Sequence, residues 1–132
     1  MLSDNNIGMD KVLAKALTVL LGGNSIEDLS LSWNRLRSED LIPMLQVGCK
    51  SLKVLDIKFN RLDDQLARSV AKLLNESKTM LQLDLSYNYF GYETYESVGR
   101  ALVECKQLNL FRIKGNSLKE EEIQQFESLL PR

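Results

Sequence analysis

The feature that most constrains this chain is internal repetition. Four segments carry a large apolar residue at positions 1, 4, 6 and 11 and asparagine at position 9. They are Ile26-x-x-Leu29-x-Leu31-x-x-Asn34-x-Leu36, Leu52-x-x-Leu55-x-Ile57-x-x-Asn60-x-Leu62, Met80-x-x-Leu83-x-Leu85-x-x-Asn88-x-Phe90 and Leu108-x-x-Phe111-x-Ile113-x-x-Asn116-x-Leu118. Successive asparagines lie 26, 28 and 28 residues apart. A truncated copy opens the chain, where Leu2-Ser3-Asp4-Asn5-Asn6-Ile7 aligns with Leu31-Ser32-Trp33-Asn34-Arg35-Leu36. A period of this length demands a stacked array, because one repeat cannot bury its own apolar face.

Each position of the pattern has a physical reason. Residues 28–32, 54–58, 82–86 and 110–114 alternate apolar and polar, which predicts short strands with one buried face. Stacking would pair them in parallel, about 4.8 Å apart. The asparagine amide both donates and accepts, so it can satisfy turn backbone enclosed by the array.

Helical stripes follow the strands. They are Met9, Val12, Leu13, Ala16, Leu17 and Leu20; then Leu66, Val70, Leu73 and Leu74, with Asp63 and Asp64 at the helix start; then Tyr95, Val98, Ala101, Leu102 and Cys105. The last is Ile123, Phe126, Leu129 and Leu130, ended by Pro131. After Leu36 the pattern is least regular, and Pro43 is expected in the first helical turn or at a break.

The whole pattern resembles the leucine-rich repeat proteins. Repeats of 26 to 29 residues with a true helix resemble the ribonuclease-inhibitor-like subfamily. Cys49, Cys105, Gly23 and Ser77 stand three residues before a repeat start, where that subfamily carries small residues or cysteine. The resemblance implies one domain over residues 1–132, with a truncated repeat at 1–25 and repeats starting near 26, 52, 80 and 108. It implies a right-handed curved α/β solenoid, the parallel sheet concave and the helices convex. Cys49 and Cys105, two repeats apart, should lie roughly 10 Å from each other, too far for a disulfide.

Composition narrows the work this fold can do. There is no histidine, which removes the commonest general base, the commonest zinc ligand and any Ser-His or Cys-His pair. Glu120, Glu121 and Glu122 occupy consecutive helix positions that diverge by about 100°, so neither metal nor cofactor is expected. Seventeen basic against eighteen acidic residues points away from nucleic acid and anionic membranes. The longest apolar run is far below the roughly 20 residues of a membrane helix. Asp4 and Asp10 sit where a signal peptide needs positive charge, so a cytoplasmic protein is expected. The chain starts inside a strand pattern with no capping segment. That suggests a fragment or short form of a longer array, or an open end that self-associates.

Function should then sit on exposed positions between core residues. The outward strand residues read Asp28, Ser30, Ser32; Val54, Asp56, Lys58; Gln82, Asp84, Ser86; and Leu110, Arg112, Lys114. Acidic residues in three strands and a basic last strand suit a protein partner. Trp33, Phe59 and Tyr87 precede three successive asparagines and would form an aromatic ladder at the rim, flanked by Arg35, Arg61 and Tyr89. The same slots also suit packing over a neighbouring turn. The expected function is a non-enzymatic protein-binding module using Trp33, Phe59, Tyr87, Tyr89, Asp56, Asp84, Lys58, Arg112 and Lys114. Two alternatives stay open: a scaffold piece of a cytoskeletal or ciliary assembly, and a GTPase-activating regulator. The latter rests on resemblance to Ran GTPase-activating proteins, with Arg35 or Arg61 as its arginine.

Overall fold

A computed structural model describes residues 11–23, 26–48 and 50–128. The truncated opening copy at residues 2–7, Met9, Cys49, and residues 129–132 lie outside them, as do the side chains of Val12, Leu13 and Phe126. The described chain alternates helix and strand: α1 (Lys11–Gly22), β1 (Asp28–Ser30), α2 (Ser38–Gly48), β2 (Val54–Asp56), α3 (Ala67–Glu76), β3 (Gln82–Asp84), α4 (Tyr92–Glu104), β4 (Leu110–Arg112) and α5 (Glu120–Ser128). A 3₁₀ turn, Asp64–Leu66, leads into α3.

The strands form one open parallel sheet in the order β1-β2-β3-β4. Their register is set by the repeat itself. Leu29 pairs with Leu55, Leu55 with Leu83 and Leu83 with Phe111, so equivalent residues stand side by side. A slip by one residue would turn every leucine out of the core, which is why equivalence fixes the pairing. Leu31, Ile57, Leu85 and Ile113 make a second buried column, and Leu36, Leu62 and Phe90 a third. The helices close the other side through Leu66, Val70, Leu73 and Leu74 from the third repeat and Val98, Ala101 and Leu102 from the fourth.

Among the described residues, Ser77 and Cys105 stand three residues before a repeat start, in the helix-to-strand turn. Ser77 Oγ accepts the Met80 N–H at 2.9 Å. At Cys105, buried and in no disulfide, the Leu108 N–H donates to the Cys105 carbonyl at 3.3 Å. At Ser77 a small side chain with an acceptor atom satisfies a donor without filling the turn. Burial pushes the Cys105 thiol up, so it stays a packing residue rather than a nucleophile.

Three expectations need correction. Pro43 lies in the second turn of an unbroken α2, not in its first turn. Its face is exposed, and the start of the helix is held by the Arg37 N–H donating to Asp40 Oδ2 at 3.0 Å. On α1, Leu17 and Leu21 are buried, while Ala16 and Leu20 of the expected stripe are exposed together with Val19. The stripe there is narrower than the run of apolar residues. Finally, Ser30, Ser32 and Ser86, expected to face outward, are buried. Their side chains are short enough to be covered by neighbouring strands.

Candidate interaction surface

The turn after each strand is built around its asparagine. Asn60 Nδ2 donates to the carbonyls of Ile57 and Lys58 in its own turn, at 3.0 and 3.2 Å, and to Leu31 of the preceding repeat at 3.0 Å. Its Oδ1 accepts the N–H groups of Asn34 and Leu36, both at 3.0 Å. Asn88 repeats this towards Asn60 and Leu62, and Asn116 towards Asn88 and Phe90. Each of these three amides therefore ties two repeats together at backbone that would otherwise be unpaired.

That turn forces an unusual backbone on the residue before the asparagine. Trp33, Phe59 and Tyr87 have φ of 62°, 55° and 57°, in the left-handed region. Gly115 holds the fourth equivalent slot at φ 74°. For an L-residue this conformation costs about 1–2 kcal/mol. Stacking offsets it: the rings of Trp33 and Phe59 lie 4.0 Å apart at 10°, and those of Phe59 and Tyr87 4.4 Å apart at 5°. The Tyr87 ring rests on Gly115, where a β-carbon would overlap it. Trp33 is 54% exposed and Tyr87 43%, with Phe59 half-buried between them. The ladder is thus packed along its length and open along its edge.

Tyr89 stands apart from that stack. Its N–H donates to the Leu62 carbonyl at 2.7 Å, and its side chain is exposed on the chain leaving the turn. The expected charged residues fall into a row across the sheet, with Asp56 paired to Asp84 and Asp84 to Arg112. Lys58 is bound into this row. Its ammonium lies 2.9 Å from Asp56 and 3.9 Å from Asp84. The hydrogen bond to Asp56 raises its pKa above the ordinary lysine value, against opposition from partial burial and from Arg112. Asp56 and Asp84 also accept the N–H two residues on, from Lys58 and Ser86. Arg112 and Lys114 are exposed beyond them.

Sequence reasoning missed two features of this edge. One is Arg37, which a parallel bridge sets beside Arg61. Arg35, Arg37 and Arg61 are all exposed, and no described carboxylate lies within ion-pair distance of them. Charge alone gave no signal, because loop arginines are common; only the pairing of the chains beyond the asparagines brings these three together. The other is the left-handed backbone beneath the aromatics. A signal existed: Gly115 occupies the slot that the other repeats give to an aromatic, and glycine is the residue favoured at positive φ. Among described residues no group of three or more Cys, Asp or Glu is placed to hold a metal, and no helix is long and apolar enough to cross a membrane.

Comparison with known proteins follows the same lines. A family profile described as Leucine Rich repeat matches residues 48–65. No curated relative matches the sequence. Solved structures do. Leiomodin-1 actin-binding site 2 superposes with a TM-score of 0.74 at 17% identity, over 86% of this chain and 70% of that one. The Caenorhabditis elegans tropomodulin C-terminal domain superposes with a TM-score of 0.69 at 19% identity, over 93% of this chain and 78% of that one.

Proposed function

From a chain that is a leucine-rich repeat protein, we infer a non-enzymatic module that binds a partner protein through its strand face and aromatic rim. One observation carries this reading: three rings already stacked, held by the backbone, and exposed along one edge. Such rings present apolar area with little side-chain entropy left to lose on binding. Tyr89, Asp56, Asp84, Lys58, Arg112 and Lys114 complete the proposed surface. Lys58 acts there as part of a charge row rather than as a free cation.

A cytoskeletal scaffold is the form of this function with specific support. The solved structure of leiomodin-1 that this chain resembles is itself described as an actin-binding site. The 26- to 28-residue spacing with α-helices opposite the sheet supports the ribonuclease-inhibitor-like subfamily. A reduced, buried Cys105 fits a cytoplasmic setting.

The test is cosedimentation with filamentous actin, and anisotropy with monomeric actin, using wild type and a Trp33→Ala/Tyr87→Ala variant checked for folding by circular dichroism. Binding weakened at least about tenfold in the variant is expected, a loss of about 1.4 kcal/mol or more. Failure to bind either form of actin removes the actin reading. Equal capture of any identified partner by wild type and variant removes the rim.

A further inference from the structure

Three arginines converge where the chain leaves the turns of the first two described repeats. Arg35 and Arg37 are two residues apart, which places their α-carbons no more than about 7 Å from each other. Arg37 pairs with Arg61 in a parallel bridge, so those backbones are neighbours at about 4.8 Å. Like charges set opposite each other across paired chains repel and destabilise. All three are exposed, and none has an ion-pair partner among the described residues. Three acidic residues are near: Asp40 Oδ2 accepts the Arg37 N–H at 3.0 Å, and Glu39 and Asp63 line the same depression as Arg37 and Arg61, with Ser38 and Gln65. Asp63 Oδ1, however, is already engaged by the Ser38 hydroxyl at 2.8 Å and the Gln65 N–H at 3.0 Å. The charge of the arginines is left facing outwards.

We propose that this edge, beside Trp33, takes an extended acidic segment of the partner protein, its alternate carboxylates meeting Arg35, Arg37 and Arg61. The proposal rests on the protein-binding reading above. Side chains on one face of an extended peptide recur every 6.6–6.8 Å or so, within the reach of about 7 Å that two residues allow between Arg35 and Arg37. Guanidinium groups pair with carboxylates through two parallel hydrogen bonds, so geometry as well as charge selects the ligand. The nearby carboxylates decide between a peptide and a polyanion. A nucleic acid brings a continuous run of phosphates that Glu39 and Asp63 would repel. A peptide spaces its carboxylates, with uncharged groups between them that those acidic residues do not repel.

Fluorescence anisotropy on the full chain tests this with labelled ten-residue probes. One alternates Glu and Ser, a second alternates Gln and Ser, and a third is a ten-nucleotide single strand. The Glu–Ser probe should bind, weaken as salt rises, and exceed the other two. Arg37→Glu/Arg61→Glu should lower its affinity at least about tenfold, and Arg37→Gln/Arg61→Gln by a smaller factor. Arg100→Glu/Lys106→Glu, exposed in and just after α4 and outside the proposed surface, should change it less than about twofold. No binding of the Glu–Ser probe overturns the proposal. So does equal binding of the Gln–Ser probe, tighter binding of the oligonucleotide, or unchanged affinity in both arginine variants. If the arginine variants bind normally while Trp33→Ala/Tyr87→Ala loses its partner, this edge is not the docking site and the broader reading stands.

Discussion

Asn60 and Tyr87 belong to adjacent columns of the turns and should answer substitution differently. Removing the Asn60 amide leaves the N–H groups of Asn34 and Leu36 and the carbonyl of Leu31 without that partner, all at buried positions. Asn60→Ala should therefore lower stability by about 1–3 kcal/mol in chemical denaturation. This role could be read from the sequence, since only a group that donates and accepts suits every copy of the turn. The left-handed aromatics were signalled only through Gly115 in the equivalent slot, because propensity assigns positive φ to glycine and asparagine rather than to aromatics. Their cost and its compensation can be measured at Gly115. Gly115→Ala combines positive φ with overlap on the Tyr87 ring, so it should destabilise by more than about 1 kcal/mol. In Tyr87→Ala the overlap is gone and only the backbone strain remains. A double-mutant cycle in which the two effects simply add would show that the ring does not rest on that backbone.

Between elements, the unforeseen device is a cap that crosses repeats. Asp63 caps its own 3₁₀ turn through the Gln65 N–H, as an acidic residue at a helix start should. Asp64 does not. Its Oδ1 accepts from the Gly91 N–H at 2.8 Å, the Thr94 hydroxyl at 2.6 Å and the Thr94 N–H at 3.3 Å, so it caps α4 of the next repeat. Position relative to its own helix was legible, but a contact made 30 residues away needed the stacking geometry. Asp64→Ala should cost about 1–2 kcal/mol, the larger end of a cap, because Thr94 is fully buried and loses its hydroxyl partner. The same change should raise hydrogen exchange at the start of α4 more than within α3. Equal increases in both helices would mean that the carboxylate acts on its own turn. Helix content elsewhere followed the apolar stripes, and Pro43, which has no N–H to donate, sits on the exposed side of α2.

At the scale of the molecule, stability in a stacked array comes from nearest neighbours, so position along the stack decides how firmly a repeat is held. Among the described residues, the repeats carrying β2 and β3 have a paired strand on each side, whereas β1 and β4 each have one. The asparagine ladder follows the same rule, with Asn60 and Asn88 bonded to turns on both sides. At the α1 side the cover is thinnest, for Val19 is 76% exposed and Leu20 57%. Local opening is cheapest where few apolar contacts must be broken. Native-state hydrogen exchange should therefore find α1, Lys11–Gly22, less protected than residues 52–86, with graded rather than uniform opening energies along the stack. Truncating an exposed residue such as Leu20 to Ala should hardly change protection in β2 and β3, whereas Leu55→Ala, in the buried column they share, should lower it throughout. The ordering also gives a test of self-association through the α1 side. If α1 is as protected as β2 at high protein concentration and loses that protection on dilution, Val19 and Leu20 are covered by a second copy. If its exchange is fast at every concentration, that face is solvated, and partner binding belongs to the turns and the strand face alone.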